Sequence, residues 1–188
     1  MTIDPKIALR RQFREARRRF VNGLSKPDRA RLEALLAARV APITLTAHMT
    51  ASYAALGAEI DPFRIEQSLP PHAFPRVPGD TLFFHRAARA DLAPGFGNIP
   101  EPAATAALVT PDLVLVPLLA ATLDGRRLGQ GGGFYDGALQ RLRSAGKVLA
   151  LGLAWDVQIA DDLPLDSWDE RLDYVATPTR LVDCRTYR

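Results

Sequence analysis

A strand, a glycine-rich loop and a helix in immediate succession leave few folds open, and residues 112–140, DLVLVPLLAATLDGRRLGQGGGFYDGALQ, have that order. The apolar run from Leu113 to Leu119 reads as a strand buried on both faces. The loop carries Gly125, Arg126, Arg127, Gly129, Gly131, Gly132 and Gly133, and helical character resumes at Phe134. Glycine has no Cβ to hold a ligand off, so successive backbone N–H groups can approach an anion, and the following helix N-terminus adds its dipole. Phosphate is the first candidate ligand. The loop ends Gly133-Phe134-Tyr135, without the Lys-Ser/Thr of a Walker A loop, and Phe134 stands where a dinucleotide fingerprint needs its third glycine. A flexible surface connection is the plain alternative for such a glycine cluster.

The rest of the chain is compatible with one globular domain. Its 188 residues, 47% hydrophobic and 24% charged, can bury a sizeable core and argue against disorder. The single cysteine, Cys184, allows no internal disulfide and no thiol-rich zinc site. No apolar run reaches the ~18 residues of a membrane span, and the first twenty residues are basic rather than signal-like, so the cytoplasm is the expected address and no membrane is expected as a partner. The net charge of +3 is concentrated near the start, in Lys6, Arg10, Arg11, Arg14, Arg17, Arg18 and Arg19. One basic helix beside a phosphate loop fits an anionic small ligand as well as it fits nucleic acid.

In chain order, Leu9, Phe13, Ala16 and Phe20 recur at helical spacing, with Lys6, Arg10, Arg14 and Arg17 on a neighbouring stripe. A solvated charged face is the bland account of that stripe; the lack of interleaved aromatics weakens a nucleic-acid account. Ser25 is placed to cap a second helix, with Pro27 in its first turn, Leu32, Leu35, Leu36 and Val40 as its buried stripe and Pro42 at its end. The two form an N-terminal helical hairpin. Residues 47–56 read as a strand, Asp61-Pro62 as a helix start, and Glu59 lies in the strand-to-helix loop where an open α/β sheet places its ligands. Residues 81–87 read as a short strand. Residues 93–102, APGFGNIPEP, read as a stiff loop, and residues 148–154 as a second continuous apolar strand. The fold class is α/β: a single three-layer domain over 1–188, with a mostly parallel Rossmann-like sheet flanked by helices and the helical hairpin at its N-terminus.

A triphosphate site at neutral pH needs a divalent cation held by a few oxygens, and Asp136 with Asp169 or Asp173 could share one magnesium ion. His48, His72 and His85 are scattered without metal-ligand spacing, and no serine or cysteine sits in a nucleophile pattern.

The run Arg127-Leu128-Gly129-Gln130-Gly131-Gly132-Gly133-Phe134-Tyr135-Asp136 resembles the RLGxGxGYYD signature of the 5-formyltetrahydrofolate cyclo-ligase family. Lys6 with Arg10 resembles its K-x-x-x-R, Glu59-Ile60 its substrate-loop Glu, and Phe74-Pro75-Arg76-Val77 its LPRV segment. Asn98-Ile99-Pro100-Glu101-Pro102 resembles its proline-rich substrate loop, and Leu163-Pro164 followed by Asp169 and Asp173 its tail motif. Six motifs in order span nearly the whole chain.

The resemblance implies an ATP- and magnesium-dependent ligase that cyclises 5-formyltetrahydrofolate, polyglutamylated or not, to 5,10-methenyltetrahydrofolate, releasing ADP and phosphate. By that similarity Lys6, Arg10, Arg127, Leu128, Gly129, Gln130, Gly131, Gly132, Gly133, Phe134 and Tyr135 hold ATP. Arg127, Tyr135 and Lys6 serve catalysis, and Asp136 and Asp169 hold Mg2+. Leu56, Glu59, Asn98, Ile99, Pro100 and Tyr135 face the folate. A monomer without nucleic-acid partners is expected. The chain departs from the family pattern at Ala121-Thr122, where an aromatic-Asp pair is usual, at Trp168 in place of His, at Phe134 in place of Tyr and at Gly137 in place of Arg. Those departures frame the alternative, a nucleotide-binding relative without ligase activity, regulatory or RNA-associated.

Overall fold

The computed structural model describes residues 5–187; residues 1–4 and 188 of the expected 1–188 domain lie outside them. Helix α1 (Pro5–Asn22) and helix α2 (Lys26–Thr44) are joined through a turn at Gly23, whose N–H donates to the Arg19 and Phe20 carbonyls at 3.1 Å. Ser25 caps α2 as its sequence predicts, its Oγ accepting the Asp28 N–H at 3.2 Å. Two details of α2 differ from expectation. Leu35 is exposed, outside the stripe of Leu36 and Val40, and Pro42 lies within the helix, which runs on past it to Thr44 with Leu45 N–H reaching Ala41 O at 3.0 Å.

Strand β1 (Thr50–Ala51) is far shorter than the expected 47–56 segment. Beyond Ser52, whose N–H still pairs with Ala73 O at 2.8 Å, the chain leaves the sheet and turns into helix α3 (Phe63–Glu66). Strand β2 (Ala73–Arg76) was hidden in the sequence by Pro75. The proline is tolerated because β1 pairs with β2 only at Ala73, so no ladder on that side needs its N–H. Strand β3 (Phe83–Arg86) follows as expected. The 93–102 segment is a small hairpin rather than a structureless loop: β4 (Ala93–Pro94) pairs antiparallel with β5 (Pro100–Glu101).

Strand β6 (Leu113–Pro117) leads into a second two-residue hairpin, β7 (Ala120–Ala121) with β8 (Arg127–Leu128), and only then into the glycines and helix α4 (Phe134–Ala145). Strands β9 (Leu149–Leu153), β10 (Tyr174–Ala176) and β11 (Leu181–Asp183) complete a seven-stranded sheet of order β11-β10-β9-β6-β1-β2-β3. Its interior pairings are parallel and both edge strands are antiparallel. The continuous apolar strands explain the layers. Leu113, Leu115, Leu151 and Leu153 pack on one face with Leu36, Val40 and Trp155; Val114, Val116 and Ala150 pack on the other with Ala138 and Leu139 of α4. Helix α2 covers the first face and α4 the second. A smaller cluster, Ala120, Leu128 and Leu163, receives Leu9 and Phe13 and so seats α1 on the β7–β8 hairpin.

Candidate active site

A cleft of about 590 Å³ opens beyond the carboxyl ends of β1, β2 and β6. Tyr53, Leu56 and Glu59 reach it from the loop after β1, Pro75 and Val77 from the end of β2, Pro117 and Leu118 from the end of β6, and residues 127–136 from β8, the glycine loop and α4. Parallel strands deliver their following loops to one edge, which is why sequence-distant segments meet here. Helix α1 closes one side with Lys6, Arg10 and Arg17.

The glycine loop is shaped for close approach. Gly131 has φ 107° and Gly133 has φ 68°, both in the left-handed region that costs an L side chain strain, and a Cβ on Gly131 would stand 3.4 Å from the Arg10 guanidinium carbon. Helix α4 starts at Gly133 with no side chain capping its first-turn N–H groups. Those donors and the helix dipole are suited to an anion. Helix α1 holds the loop: Arg10 Nε donates to Gly129 O at 3.2 Å and Arg14 Nη2 to Gln130 Oε1 at 2.8 Å.

Lys6 is buried between two acids, 2.6 Å from Asp166 Oδ2 and 2.6 Å from Asp169 Oδ2. Burial by itself would lower its pKa, but the hydrogen bonds and charges of Asp166 and Asp169 outweigh that and raise it. Arg127 Nη2 binds Asp136 Oδ1 at 2.7 Å while its Nη1 donates to Glu170 O, so this arginine fixes the start of α4 to the tail loop. Asp136 Oδ1 also accepts the Glu170 N–H at 2.9 Å, and Asp169 Oδ2 the Asp166 N–H at 2.8 Å. These bonds engage one oxygen of each carboxylate, Oδ1 of Asp136 and Oδ2 of Asp169. Two carboxylates beside a glycine loop suited to an anion fit magnesium, which keeps water and anion oxygens for its other positions. Among the described residues no group of three or more His, Cys, Asp or Glu forms an all-protein cage.

The opposite side of the cleft is built differently. Glu59 accepts the Leu56 N–H on Oε2 at 3.0 Å and presents Oε1 to Arg17 Nη1 at 3.5 Å. Tyr53 lies beneath, its hydroxyl donating to Ile60 O at 2.7 Å. Burial, then the Glu59 charge, pushes the phenols of both Tyr53 and Tyr135 above their ordinary value, so both stay neutral. The β4–β5 hairpin forms the lip. Glu101 binds Arg76 Nη1 at 2.7 Å and the Val77 N–H at 3.2 Å, which clasps the hairpin to β2. Phe96 of the hairpin meets Phe134 edge-on at 5.3 Å between ring centroids.

Of the residues singled out in the sequence, Lys6, Arg10, Leu56, Glu59, Ile99, Asp136, Asp169 and all of 127–135 line this cleft. Asn98 and Pro100 do not, although their neighbour Ile99 does; Asn98 is the bend of the hairpin, with φ 62°. Asp173 lies away from the cleft wall, accepting the Ala150 N–H at 2.9 Å and Arg143 Nη2 at 2.8 Å. Thr122 donates to Asp124, which Arg126 and Arg171 also hold, all outside the cleft wall. The cationic stripe of α1 is split: Arg11, Arg14, Arg18 and Arg19 are exposed, whereas Lys6 and Arg17 are buried. Glu101, read in the sequence only as part of the proline-rich loop motif, is a wall residue. Sequence reasoning did not single out Arg17, Tyr53 or Asp166 as wall residues, although Arg17 left a signal through its place on the Lys6-Arg10 stripe.

The family model of 5-formyltetrahydrofolate cyclo-ligases matches residues 3–178. The 5-formyltetrahydrofolate cyclo-ligase of Escherichia coli K12 is 31% identical over 152 residues, covering 74% of this chain and 83% of that protein. The enzyme of the same name from Mus musculus is 36% identical over 84 residues, 44% of this chain and 40% of its own. Among solved structures, the Aquifex aeolicus 5,10-methenyltetrahydrofolate synthetase superposes with a TM-score of 0.79 at 28% identity, covering 96% of this chain and 93% of that one. A synthetase of the same activity from Mycoplasma pneumoniae shares the fold at 22% identity, with a TM-score of 0.71 over 93% and 99% of the two chains.

Proposed function

The chain belongs to the 5-formyltetrahydrofolate cyclo-ligase family, and from that premise we propose that its cleft brings ATP and 5-formyltetrahydrofolate together to make 5,10-methenyltetrahydrofolate, ADP and phosphate. The observation that carries the nucleotide half is the uncapped start of α4 behind a glycine loop that α1 holds in place with Arg10 and Arg14. Residues 129–133 and the first turn of α4 offer N–H groups to the triphosphate, and Lys6 and Arg10 offset charge on the transferring phosphoryl group. Asp136 and Asp169 would hold magnesium, which screens the triphosphate and polarises its terminal phosphoryl group.

The folate lies toward Leu56, Glu59, Ile99 and Tyr135, where the wall is apolar and its tyrosines are neutral. The formyl oxygen attacks the terminal phosphorus and ADP leaves. The neighbouring folate amine then adds to the activated carbon and loses its proton, and phosphate departs with the formyl oxygen. What the protein supplies is alignment of two bound substrates and exclusion of water, since no covalent enzyme intermediate is needed.

Incubating the purified protein with 5-formyltetrahydrofolate, ATP and magnesium and following methenyl-folate absorbance tests this. Absorbance should grow only when all three are present, with one ADP released per product. ATP binding without any product would contradict the ligase and favour a nucleotide-binding relative.

A further inference from the structure

Arg17 is a buried cation of α1 with no part in the chemistry above. It is 6% exposed, yet it lines the cleft. Its Nη1 donates to Leu118 O at 3.2 Å and stands 3.5 Å from Glu59 Oε1, while its Nε is buried without any hydrogen-bond partner. Burying a guanidinium is costly unless its donors are satisfied, and since Nε is sealed from solvent, the part of Arg17 that lines the cleft is where a ligand acceptor adds to the set. That ligand group is unlike the one Lys6 serves. Eleven residues of helix separate the two, about 16 Å along α1, too far for both to hold one phosphoryl group.

The neighbourhood narrows the chemistry further. Leu118 O and Glu59 surround Arg17 with acceptors, and the Glu59 carboxylate is held by Arg17 on one oxygen and by the Leu56 N–H on the other. An acceptor-rich carboxylate beside a cationic donor complements a planar ring edge that carries N–H donors next to a carbonyl. The pterin of a folate has that edge: an amino group on C2, the N3–H, then the C4 carbonyl.

Resting on the folate assignment above, we infer that Arg17 determines specificity for the pterin, donating to its C4 carbonyl oxygen while Glu59 accepts from N3–H and the C2 amino group. One helix then serves both substrates, the nucleotide through its first turns and the pterin through Arg17.

Binding measured without ATP tests this on the intact protein, with 5-formyltetrahydrofolate and its 4-thioxo analogue as probes. The analogue keeps N3–H and the amino group but replaces the carbonyl oxygen with sulfur, a weaker acceptor. The wild-type protein should prefer the oxo compound roughly tenfold. Arg17→Met should weaken the oxo compound by about that factor and bring the two ligands within about twofold, and magnesium-ATP affinity should stay within about twofold. Arg17→Lys keeps a charge but not the fork, so its preference should fall between the two, and this variant decides the matter if the methionine variant does not melt cooperatively. An undiminished preference in either variant would overturn the inference, as would a loss confined to ATP. A wild-type protein that binds neither pterin would refute the folate assignment itself.

Discussion

At the glycine-loop end of the cleft Lys6 spans two carboxylates at 2.6 Å each, whereas at the Glu59 end Arg17 stands 3.5 Å from its acid with one nitrogen unpartnered. The first end is a set of charges already tied to one another: Lys6 with Asp166 and Asp169, Arg127 with Asp136, Arg10 with the Gly129 carbonyl. The second is a mostly apolar wall around Tyr53, Tyr135 and Ile99, where Arg17 and Glu59 pair loosely and the 2.7 Å Arg76–Glu101 pair ties down only the lip. Tied charges keep their geometry before a ligand arrives, which suits phosphoryl transfer, where positioning matters more than covalent chemistry. An apolar wall with a few aimed polar groups suits a planar organic ring.

Perturbing one end should therefore leave the other's substrate largely untouched. The largest effect is expected for Lys6→Met, which removes the cation between two acids. Steady-state kinetics should show kcat/KM for ATP falling about 10²- to 10³-fold with little change in folate KM, and a folate-specific loss would break the division. Asp136→Asn comes next, because it removes a charge that Arg127 and the proposed magnesium share. Titrating magnesium at saturating substrates should show the requirement rising roughly 10- to 100-fold, and an unchanged titration would take Asp136 out of the metal site.

Arg76→Ala acts only at the other end, by releasing Glu101 and with it the β4–β5 lip. Folate KM should rise about tenfold, or about 1.4 kcal/mol, while ATP KM stays level. Rescue by Arg76→Lys to part of the wild-type value would place the effect in the clasp. The smallest effect concerns pH. Burial raises the Tyr135 pKa above the ordinary 10.0, so above about pH 10 the unfolded chain releases a phenol proton that the folded chain keeps, and stability falls as pH rises. Thermal melts between pH 9 and 11, both about the ordinary phenol pKa, should show a shallower decline for Tyr135→Phe than for wild type.

How much of this was visible beforehand depended on whether a signal was local. The continuous apolar runs of β6 and β9 announced a sheet covered on both faces, and the glycine loop and the Lys6-Arg10 pair pointed to residues that do meet at one end of the cleft. Strand β2 escaped because Pro75 interrupts its pattern, and β4, β5, β7 and β8 escaped because two residues carry no period. The Glu59 end was the harder half. The partner of Glu101 is Arg76 and that of Glu59 is Arg17, pairs that only the sheet's connections bring together. Likewise Arg14 and Arg17 look alike on the helix stripe, and only packing decides that the first meets solvent and the second the cleft.

The central claim is that the two substrates occupy the two ends separately, and backbone amide NMR can read both in one experiment. The protein is titrated with a non-hydrolysable ATP analogue and magnesium, then in a second sample with 5-formyltetrahydrofolate. Tyr135 aside, which stands between the two ends, the nucleotide should shift residues 129–134 and the first turns of α1, and the folate should shift residues 53–59 and 96–101. Both ligands moving the same residues, or the folate moving the glycine loop alone, would contradict it.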